Sequence, residues 1–409
     1  MAHPLHTEIT YRYERWRAVT SGILESATST FLLLIAVRWF EAGALAKALV
    51  AGGGSFGLLL SPLVVAVVSR RGWPAAKAAS RLLVVGAASF LLAALWSSLA
   101  FFILAAVVGM ATSAAIIPLL TQIYQENYPG DKRGRLFSRT IIIRIATAAL
   151  FSKLAGDALA GHMNYFRWLL LVFGMALGLS SYLLARYPSQ PLHTDGGAHP
   201  FRAFRFVRAD ELFRRTLICW MLMGFANLMM LPLRVEYLAN PKYHFELTVD
   251  MIAILTGVVP NLSRLVMSPI WGSLFDRMNF FALRVTLNLG FALGILTFFT
   301  SHSIAGMVAG GIIFGVSNAG GDVAWSLWVT KFAPAHRVAD YMSVHTFLTG
   351  VRGVAAPLCA FYFIRQLPLT WLALISCALI AASILLLLPE VKFGRRARPT
   401  SALVEEVSE

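Results

Sequence analysis

Charged residues are scarce in this chain of 409 residues. They make up 13% of it, whereas soluble globular proteins carry roughly 25%. Hydrophobic residues make up 58%, the mean hydropathy is +0.69, and the apolar residues gather in long runs such as 82–95 and 371–388. About 20 apolar residues cross a bilayer, and such a segment satisfies its own backbone as a helix. The composition therefore excludes an ordinary soluble domain and predicts an all-α integral membrane protein.

Cysteine is rare as well. Cys219, Cys359 and Cys377 all fall within apolar stretches, so they form no disulfide framework and have no metal-ligand spacing. The sequence also lacks HExxH and GxxxxGK[ST], and it has no cluster of His or Asp. We therefore expect no metal and no cofactor, and we expect neither an enzyme nor an ATP-driven pump.

Acidic residues are outnumbered, which gives a formal net charge of +15. A nucleic-acid partner is one explanation, but the positions of the basic residues favour another. Of the 35 Lys and Arg, 25 fall in one alternating set of connections between apolar stretches and only 7 in the opposite set. Positive charge accumulates on the cytoplasmic side of membrane proteins. We therefore expect a multi-pass protein of the plasma membrane (a bacterial inner membrane) with both termini in the cytoplasm and no nucleic-acid partner.

The apolar stretches predict twelve spans in two sets of six. A linker rich in Pro, Gly and basic residues separates the sets, so we predict an N-terminal bundle (1–186), a cytoplasmic linker (187–213), a C-terminal bundle (214–390) and a cytoplasmic tail (391–409). The predicted spans are 18–39, 43–69, 76–98, 100–124, 138–161, 165–186, 214–237, 248–275, 280–300, 303–329, 338–365 and 368–390.

The two halves repeat each other in sequence. Gly109 and Gly315 are 206 positions apart, and Pro129 and Pro334 are 205 apart, which aligns the fourth span with the tenth. Two six-helix halves in parallel duplication are typical of secondary transporters, whose substrate site lies between the halves near the membrane midplane.

One short motif points to a family. The stretch GSLFDR (272–277) resembles the signature loop of the major facilitator superfamily, and the resemblance extends over the twelve spans, the repeat and the basic linker. It implies the fold of that superfamily, two pseudo-symmetric six-helix bundles, and transport by alternating access. The N-terminal copy of the loop, VAVVSRRGW (65–73), keeps Arg70 and Gly72 but has Ser69 in place of the acid.

The resemblance implies a gating role for the complete copy of the loop, formed by Gly272, Asp276 and Arg277. An anion at the C-terminal end of its own helix is disfavoured by the helix dipole. The N-terminus of the eleventh span, near Ala339 and Tyr341, would offer free N–H groups. Asp276 would thus latch the halves together on the cytoplasmic side; the alternative is an interfacial charge that only orients the loop.

Charge inside a membrane span is costly and marks function by default, and five ionisable residues within the predicted spans are candidates. At ~1.5 Å per residue, four of them lie between about 10 and 20 Å from the cytoplasmic end of their helices. These four, which we expect to converge on one cavity, are Glu25, Arg264, Asp322 and Arg352. The fifth, Arg144, lies close to its loop, and we expect it to reach the surface.

Two interpretations of the four remain open. In the first, Arg264 and Arg352 clamp an anionic substrate group, because an arginine fork suits a carboxylate or phosphate. Glu25 or Asp322 would then couple transport to protons, because burial disfavours the charged form of a carboxylate. In the second, Asp322 neutralises one of the arginines as a structural pair.

Other polar and aromatic residues in the spans could line the route. Each Asn is as easily an interhelical hydrogen bond as a ligand. Among the aromatic residues, Trp220 and Trp325 could stack on a substrate, Trp328 is expected at the membrane interface, and His345 is expected to be structural. The polar candidates are Asn227, Asn261, Asn318 and Gln122.

The function predicted from these features is secondary active transport of a small organic solute, with protons as the coupling ion. In the first interpretation above, this solute carries an anionic group. We expect a monomer in the lipid bilayer. One alternative is a multidrug-type efflux antiporter, because Met-rich spans suit an adaptable pocket. Another is a transporter-like membrane sensor that binds a ligand without moving it.

Overall fold

Twelve long helices run through the part of the chain that the structure describes. The structure, a computed structural model, describes residues 4–96, 98–129, 133–191, 204–245, 247–328 and 338–393. We number the long helices α1 to α12; a short linker helix, Arg205–Ala209, precedes α7. Their bounds are α1 Pro4–Arg38, α2 Ala44–Arg70, α3 Ala75–Leu95, α4 Leu99–Ala115 continuing as Ile117–Asn127, α5 Arg133–Ala160, α6 Phe166–Leu184, α7 Glu211–Ala239, α8 Val249–Ala253 continuing through Ile254–Val258 and Val259–Arg277, α9 Phe280–Thr300, α10 Ile304–Leu327, α11 Val338–Phe363 and α12 Leu369–Phe393.

Eleven of these helices are long and apolar enough to cross a membrane. The other, α5, is 28 residues long but carries Arg139, Arg144, Lys153 and Asp157 along its length. Three of these charges are paired: Arg144 contacts Glu25, and Lys153 contacts Asp157. The chain is thus a multi-pass membrane protein with all-α architecture.

The first helix starts much earlier than the sequence predicts. The predicted first span begins at residue 18, whereas α1 begins at Pro4. The additional turns are polar, but their buried side chains find partners: Arg17 bonds both carboxylate oxygens of Glu14, and Tyr187 donates to Glu14 at 2.5 Å. Because these groups satisfy one another, the helix continues without an apolar sequence.

The helices form two six-helix bundles with the same internal packing. The pairs α1–α5, α2–α4, α3–α6, α3–α4 and α1–α6 recur as α7–α11, α8–α10, α9–α12, α9–α10 and α7–α12. The bundles meet along α2–α11 and α5–α8. The pseudo-symmetry that relates α2 to α8 and α5 to α11 also relates these two contacts to each other. The pseudo-symmetric fold is therefore confirmed, while the predicted domain bounds stay predictions.

Alternating spans give the molecule two ends. An even number of crossings places the start of α1 and the end of α12 on one face, which we call the terminal face; the opposite one is the far face. The bundles approach each other closely at the middle of the molecule and between the middle and the far face. A Cβ on Gly350 would lie 2.8 Å from the backbone nitrogen of Leu59, and one on Gly257 would lie 2.5 Å from Oγ of Ser152. Small residues thus bring α2 against α11 and α5 against α8.

Two π-helical turns face each other across this interface. They occupy Ala27–Phe31 in α1 and Ile254–Val258 in α8. The hydroxyl groups of Thr30 and Thr256 are 3.0 Å apart, which joins the two turns directly. Such turns occur often at functional sites.

Candidate functional site

Four charged side chains from four helices form a chain of ion pairs at the interface of the bundles, which we call the central network. Nε of Arg144 lies 2.8 Å from Oε2 of Glu25, whose Oε1 accepts a hydrogen bond from Nη1 of Arg264. Nε of Arg264 donates to Oδ2 of Asp322 at 2.6 Å. Nη1 of Arg264 also lies 3.4 Å from Oδ1 of Asn261. The central network therefore runs from α5 through α1 and α8 to α10 and crosses between the bundles once, at Glu25–Arg264.

The central network is shielded in its middle and more open at its ends. Arg264 is 6% exposed, Glu25 is 22% exposed and Asp322 is 32% exposed. Two guanidinium groups and two carboxylates give it a formal charge of zero. Opposite charges in a poorly solvated site attract each other strongly but lose their hydration. The attraction offsets the lost hydration only when every charge is paired. The arrangement can respond to protonation of either acid, because each proton removes one partner of Arg264.

The sequence-based expectation for Arg144 is wrong. We expected this side chain to reach the surface, but it points towards Glu25. Position along the helix gives only its depth, whereas the direction of the side chain depends on the rotation of α5 against α1. The sequence carried no signal for that rotation.

The fourth residue expected in the same cavity, Arg352, belongs to a different cluster. Its Nη1 donates to the carbonyl of Trp220 in α7, and its guanidinium packs against Gly224. Arg264 and Arg352 therefore do not share a set of contacts, and the proposed clamp of an anionic group by both is a prediction that no contact in the described part of the chain supports.

The remaining polar candidates are scattered. Nε2 of Gln122 donates to Oε1 of Glu126 at 2.8 Å, one turn further along α4. Asn227 and Arg234 line a small cavity inside the C-terminal bundle. Asn318 is half-buried on α10, one turn from Asp322. Only Asn261 joins the central network.

The gating residues are described in part. Asp276 and Arg277 end α8, but their side chains lie outside the described residues, so the latch stays a prediction. Gly272 is half-buried with open space where a Cβ would stand, and Arg70 is exposed at the end of α2. Gly72 has φ +60°, a left-handed conformation that glycine adopts without strain.

The predicted partner end of the latch is a buried aromatic layer. Tyr341 is fully buried at the start of α11, and its hydroxyl donates to Oδ2 of Asp210 at 3.1 Å. Trp328, expected at the membrane interface, is also fully buried, and its ring stacks on Phe213 at 5.7 Å between centroids. The expectation for Trp328 is wrong because the end of α10 packs inside the bundle.

Sequence reasoning missed a second set of polar contacts between the bundles, close to the far face. Nζ of Lys47 donates to Oε1 of Glu236 at 2.7 Å, and Nη2 of Arg38 donates to the carbonyl of Leu247 at 3.0 Å. Glu236 is almost fully buried and also accepts from Asn240 at 2.7 Å. The position of Glu236 near the end of an apolar span could have indicated a buried partner of opposite charge. Together with Thr30–Thr256, these contacts join the bundles between the central network and the far face.

A further motif match has no catalytic meaning. The residues Gly53 to Gly57 match the pattern GxSxG, in which a serine nucleophile stands on a turn between a strand and a helix. Here Ser55 lies in the middle of α2 and packs against Gly353 of α11. It is a contact between the bundles.

Comparison with known proteins gives a fold but no close relative. No family model matches the sequence, and no curated protein matches it. The solved structures that resemble the chain include the nucleoside transporter NupG, with a TM-score of 0.69 at 12% identity over 93% of this chain and 98% of that one. A transporter of the POT family, solved with a thioalcohol-conjugated peptide, has a TM-score of 0.69 at 14% identity, covering 96% of this chain and 97% of that one. A bacterial homologue of the human lysosomal transporter Spinster, inward-facing and occupied, has a TM-score of 0.63 at 14% identity and covers 99% of both chains.

These likenesses extend over nearly the whole chain and agree with the repeated packing of the two bundles. The chain has the fold of the major facilitator superfamily. At such low identity, the resemblance shows the fold alone.

Proposed function

We propose that the protein is a secondary active transporter that moves a small organic solute by alternating access, coupled to protons through the central network. The observation that carries the proposal is the charged connection between the bundles at the centre of the molecule, Glu25–Arg264, flanked by Arg144 and Asp322. A solute site at the interface of the halves is the usual arrangement in transporters of this kind.

The coupling step follows from the pairing of Arg264. Its guanidinium is held by two carboxylates, so it has no free charge to offer a solute in this state. A proton on Asp322 or Glu25 would remove one of these partners and leave Arg264 able to bind an anionic group of the solute. Proton and solute would then enter the site together, which is symport.

The movement proposed is a rocking of the bundles about the central network. In the state described, polar contacts between the bundles run from the central network to the far face, through Thr30–Thr256, Lys47–Glu236 and Arg38–Leu247. Opening towards the far face has to break these contacts. On the terminal face, the latch formed by Asp276 and the start of α11 would close in exchange.

The orientation proposed places the terminal face in the cytoplasm of a bacterial cell. It rests on the excess of Lys and Arg in the connections on that face. A fluorescent reporter and a periplasm-dependent phosphatase, each fused after Glu409, test it. Fluorescence without phosphatase activity is expected, and the reverse pattern would contradict the orientation.

The main experiment separates coupling from movement. A thermal-shift screen against nucleosides, short peptides and organic acids at several pH values would provide a solute. Uptake of that solute into proteoliposomes with an imposed pH gradient is then compared with solute exchange at equal pH. We expect Asp322→Asn and Glu25→Gln to lose gradient-driven accumulation but to retain exchange.

The matched control is Asp157→Asn. Asp157 is an exposed acid on α5, paired with Lys153 at 2.5 Å, and is outside the central network. This variant should accumulate solute like the natural protein. Undiminished accumulation in both network variants would refute proton coupling through these acids. Binding without any flux in the natural protein would instead identify a sensor.

A further inference from the structure

The C-terminal bundle contains a second cluster of basic side chains, built around one indole ring. The guanidinium carbon of Arg284 lies 3.6 Å from the ring centroid of Trp220, and that of Arg352 lies 5.9 Å from it. The ring of His345 lies 5.2 Å from the same indole. We call Trp220, Arg284, His345 and Arg352 the Trp220 cluster. All four are between 1% and 5% exposed.

Several hydrogen-bond donors in this cluster have no acceptor among the residues that the structure describes. Within the described part of the chain, no partner is found for Nη1 and Nη2 of Arg284, Nε of Arg352, Nε1 of Trp220 or Nε2 of His345. Buried polar groups are normally bonded, and each exception needs an explanation. The indole and both guanidinium groups can only donate. What is missing is therefore an acceptor.

The cluster also lacks negative charge. No ion pair to Arg284 or Arg352 occurs among the described residues, whereas Arg264 has two. Arginine keeps its proton in proteins, so the cluster holds two positive charges. The face of Trp220 offsets part of this charge by a cation–π interaction. It cannot accept hydrogen bonds from the edges of both guanidinium groups.

We propose that the Trp220 cluster binds one small inorganic anion, of the size of chloride, between Arg284 and Arg352. The anion would accept the unpartnered N–H groups and neutralise one of the two charges. Its small size follows from the surroundings. The ring of Trp328 lies 6.0 Å from that of Trp220 and 5.1 Å from that of His345. Phe213 packs on Trp328 and Tyr341 packs on Phe213, and all three are fully buried. The site is separate from the central network, so its role is to stabilise the C-terminal bundle.

Gly224 is part of the construction. A Cβ at this position would collide with the guanidinium of Arg352, so only glycine leaves room for that side chain beside α7. The space left by the missing side chain at Gly224 therefore holds the guanidinium of Arg352 inside the bundle.

Chloride and bromide test the proposal on the purified full-length protein. Thermal unfolding is followed by light scattering while sodium gluconate is replaced by sodium chloride or bromide at constant ionic strength. We expect a saturable rise in the unfolding temperature with both halides and no comparable rise with sulfate or phosphate. Bromide quenches indole fluorescence on contact, so it should also quench a saturable fraction of the emission, and Trp220→Phe should lose that fraction.

Variants assign the effect to the cluster. In Arg284→Gln and in Arg352→Gln, the halide concentration that gives half of the rise in unfolding temperature should be at least tenfold higher. The control is Arg234→Gln. Arg234 lies on α7 and, like Arg284 and Arg352, is buried and has no acidic partner among the described residues. It is outside the Trp220 cluster and lies over Phe314, 3.9 Å from the ring centroid. Its removal should leave the halide dependence unchanged.

Direct binding keeps the proposal testable if the variants fail to fold. Equilibrium dialysis of the natural protein against radioactive chloride should give about one ion per chain, displaced by bromide. Absence of saturable chloride binding, or the same halide dependence in the Arg284 and Arg234 variants, would overturn the proposal. Stabilisation by phosphate but not by chloride would overturn the choice of a small monovalent ion.

Discussion

The carboxylate of Glu25 and the guanidinium of Arg264 pair across the interface between the two bundles. Each is also held from behind, Glu25 by Arg144 of its own bundle and Arg264 by Asp322 of its own bundle. Any separation of the bundles at this depth breaks the middle pair and leaves the outer two intact. The bundles can therefore move apart without leaving a charge wholly unpaired.

Arg264→Met should be strongly destabilising, because it leaves Glu25 and Asp322 beside each other without their shared partner. Removing one member of a buried pair costs about 3–5 kcal/mol. Thermal unfolding in detergent should show a large decrease in the unfolding temperature. The variant Glu25→Gln, Arg264→Met, Asp322→Asn should recover much of the loss, because it removes all three charges together. Equal instability of the two variants would indicate lost packing.

Lys47→Met should open the far face. The carboxylate of Glu236 is almost fully buried and would lose its cationic partner, although Asn240 still donates to it. A cysteine at Thr30, placed in a background without native cysteines, should react faster with a membrane-impermeant maleimide when Lys47 is replaced. The control is Lys153→Met, which removes an exposed ion pair within one bundle. Unchanged labelling in the Lys47 variant would mean that this pair does not hold the far face closed.

Gly350→Ala should separate α2 from α11. The added methyl group would lie 2.8 Å from the backbone nitrogen of Leu59, and backbone cannot move aside as a side chain can. Overpacking of this kind costs about 1–3 kcal/mol. Gly54→Ala is the matched control, because nothing lies within 4 Å of the added methyl group and alanine favours a helix by up to about 1 kcal/mol. We expect a lower unfolding temperature for the first variant and an equal or higher one for the second.

Alkaline pH should destabilise the terminal end of the N-terminal bundle through Tyr187. Burial raises the pKa of Tyr187 well above its ordinary value, and the nearby carboxylate of Glu14 raises it further. Because the pKa is higher in the folded than in the unfolded protein, this contribution to stability is complete below about pH 10 and is lost as pH rises above it. Unfolding temperatures between pH 8 and 11 should therefore fall less steeply in Tyr187→Phe. Tyr165→Phe, at a side chain that is 43% exposed, should follow the natural protein.

The helices and their duplication could be predicted from sequence because both depend on local composition. A run of apolar residues has to form a helix in lipid whatever its neighbours are, and the spacing between Gly109 and Gly315 reports the repeat directly. The start of α1 could not be predicted in this way. Its first turns are polar, and they are helical because Glu14 meets Arg17 and Tyr187, the last of which is 173 positions away.

The sequence by itself determined that the chain is a twelve-helix membrane protein with a few charges at known depths, since depth follows from the count of residues along a helix. Only the tertiary structure decided which charges meet, because that depends on how each helix is rotated against its neighbours. Arg144 and Arg352 are the clearest cases: the residue expected at the surface joins Glu25, and the one expected beside Arg264 lies against Trp220. Rotation is fixed by packing between distant segments, so no local pattern reports it.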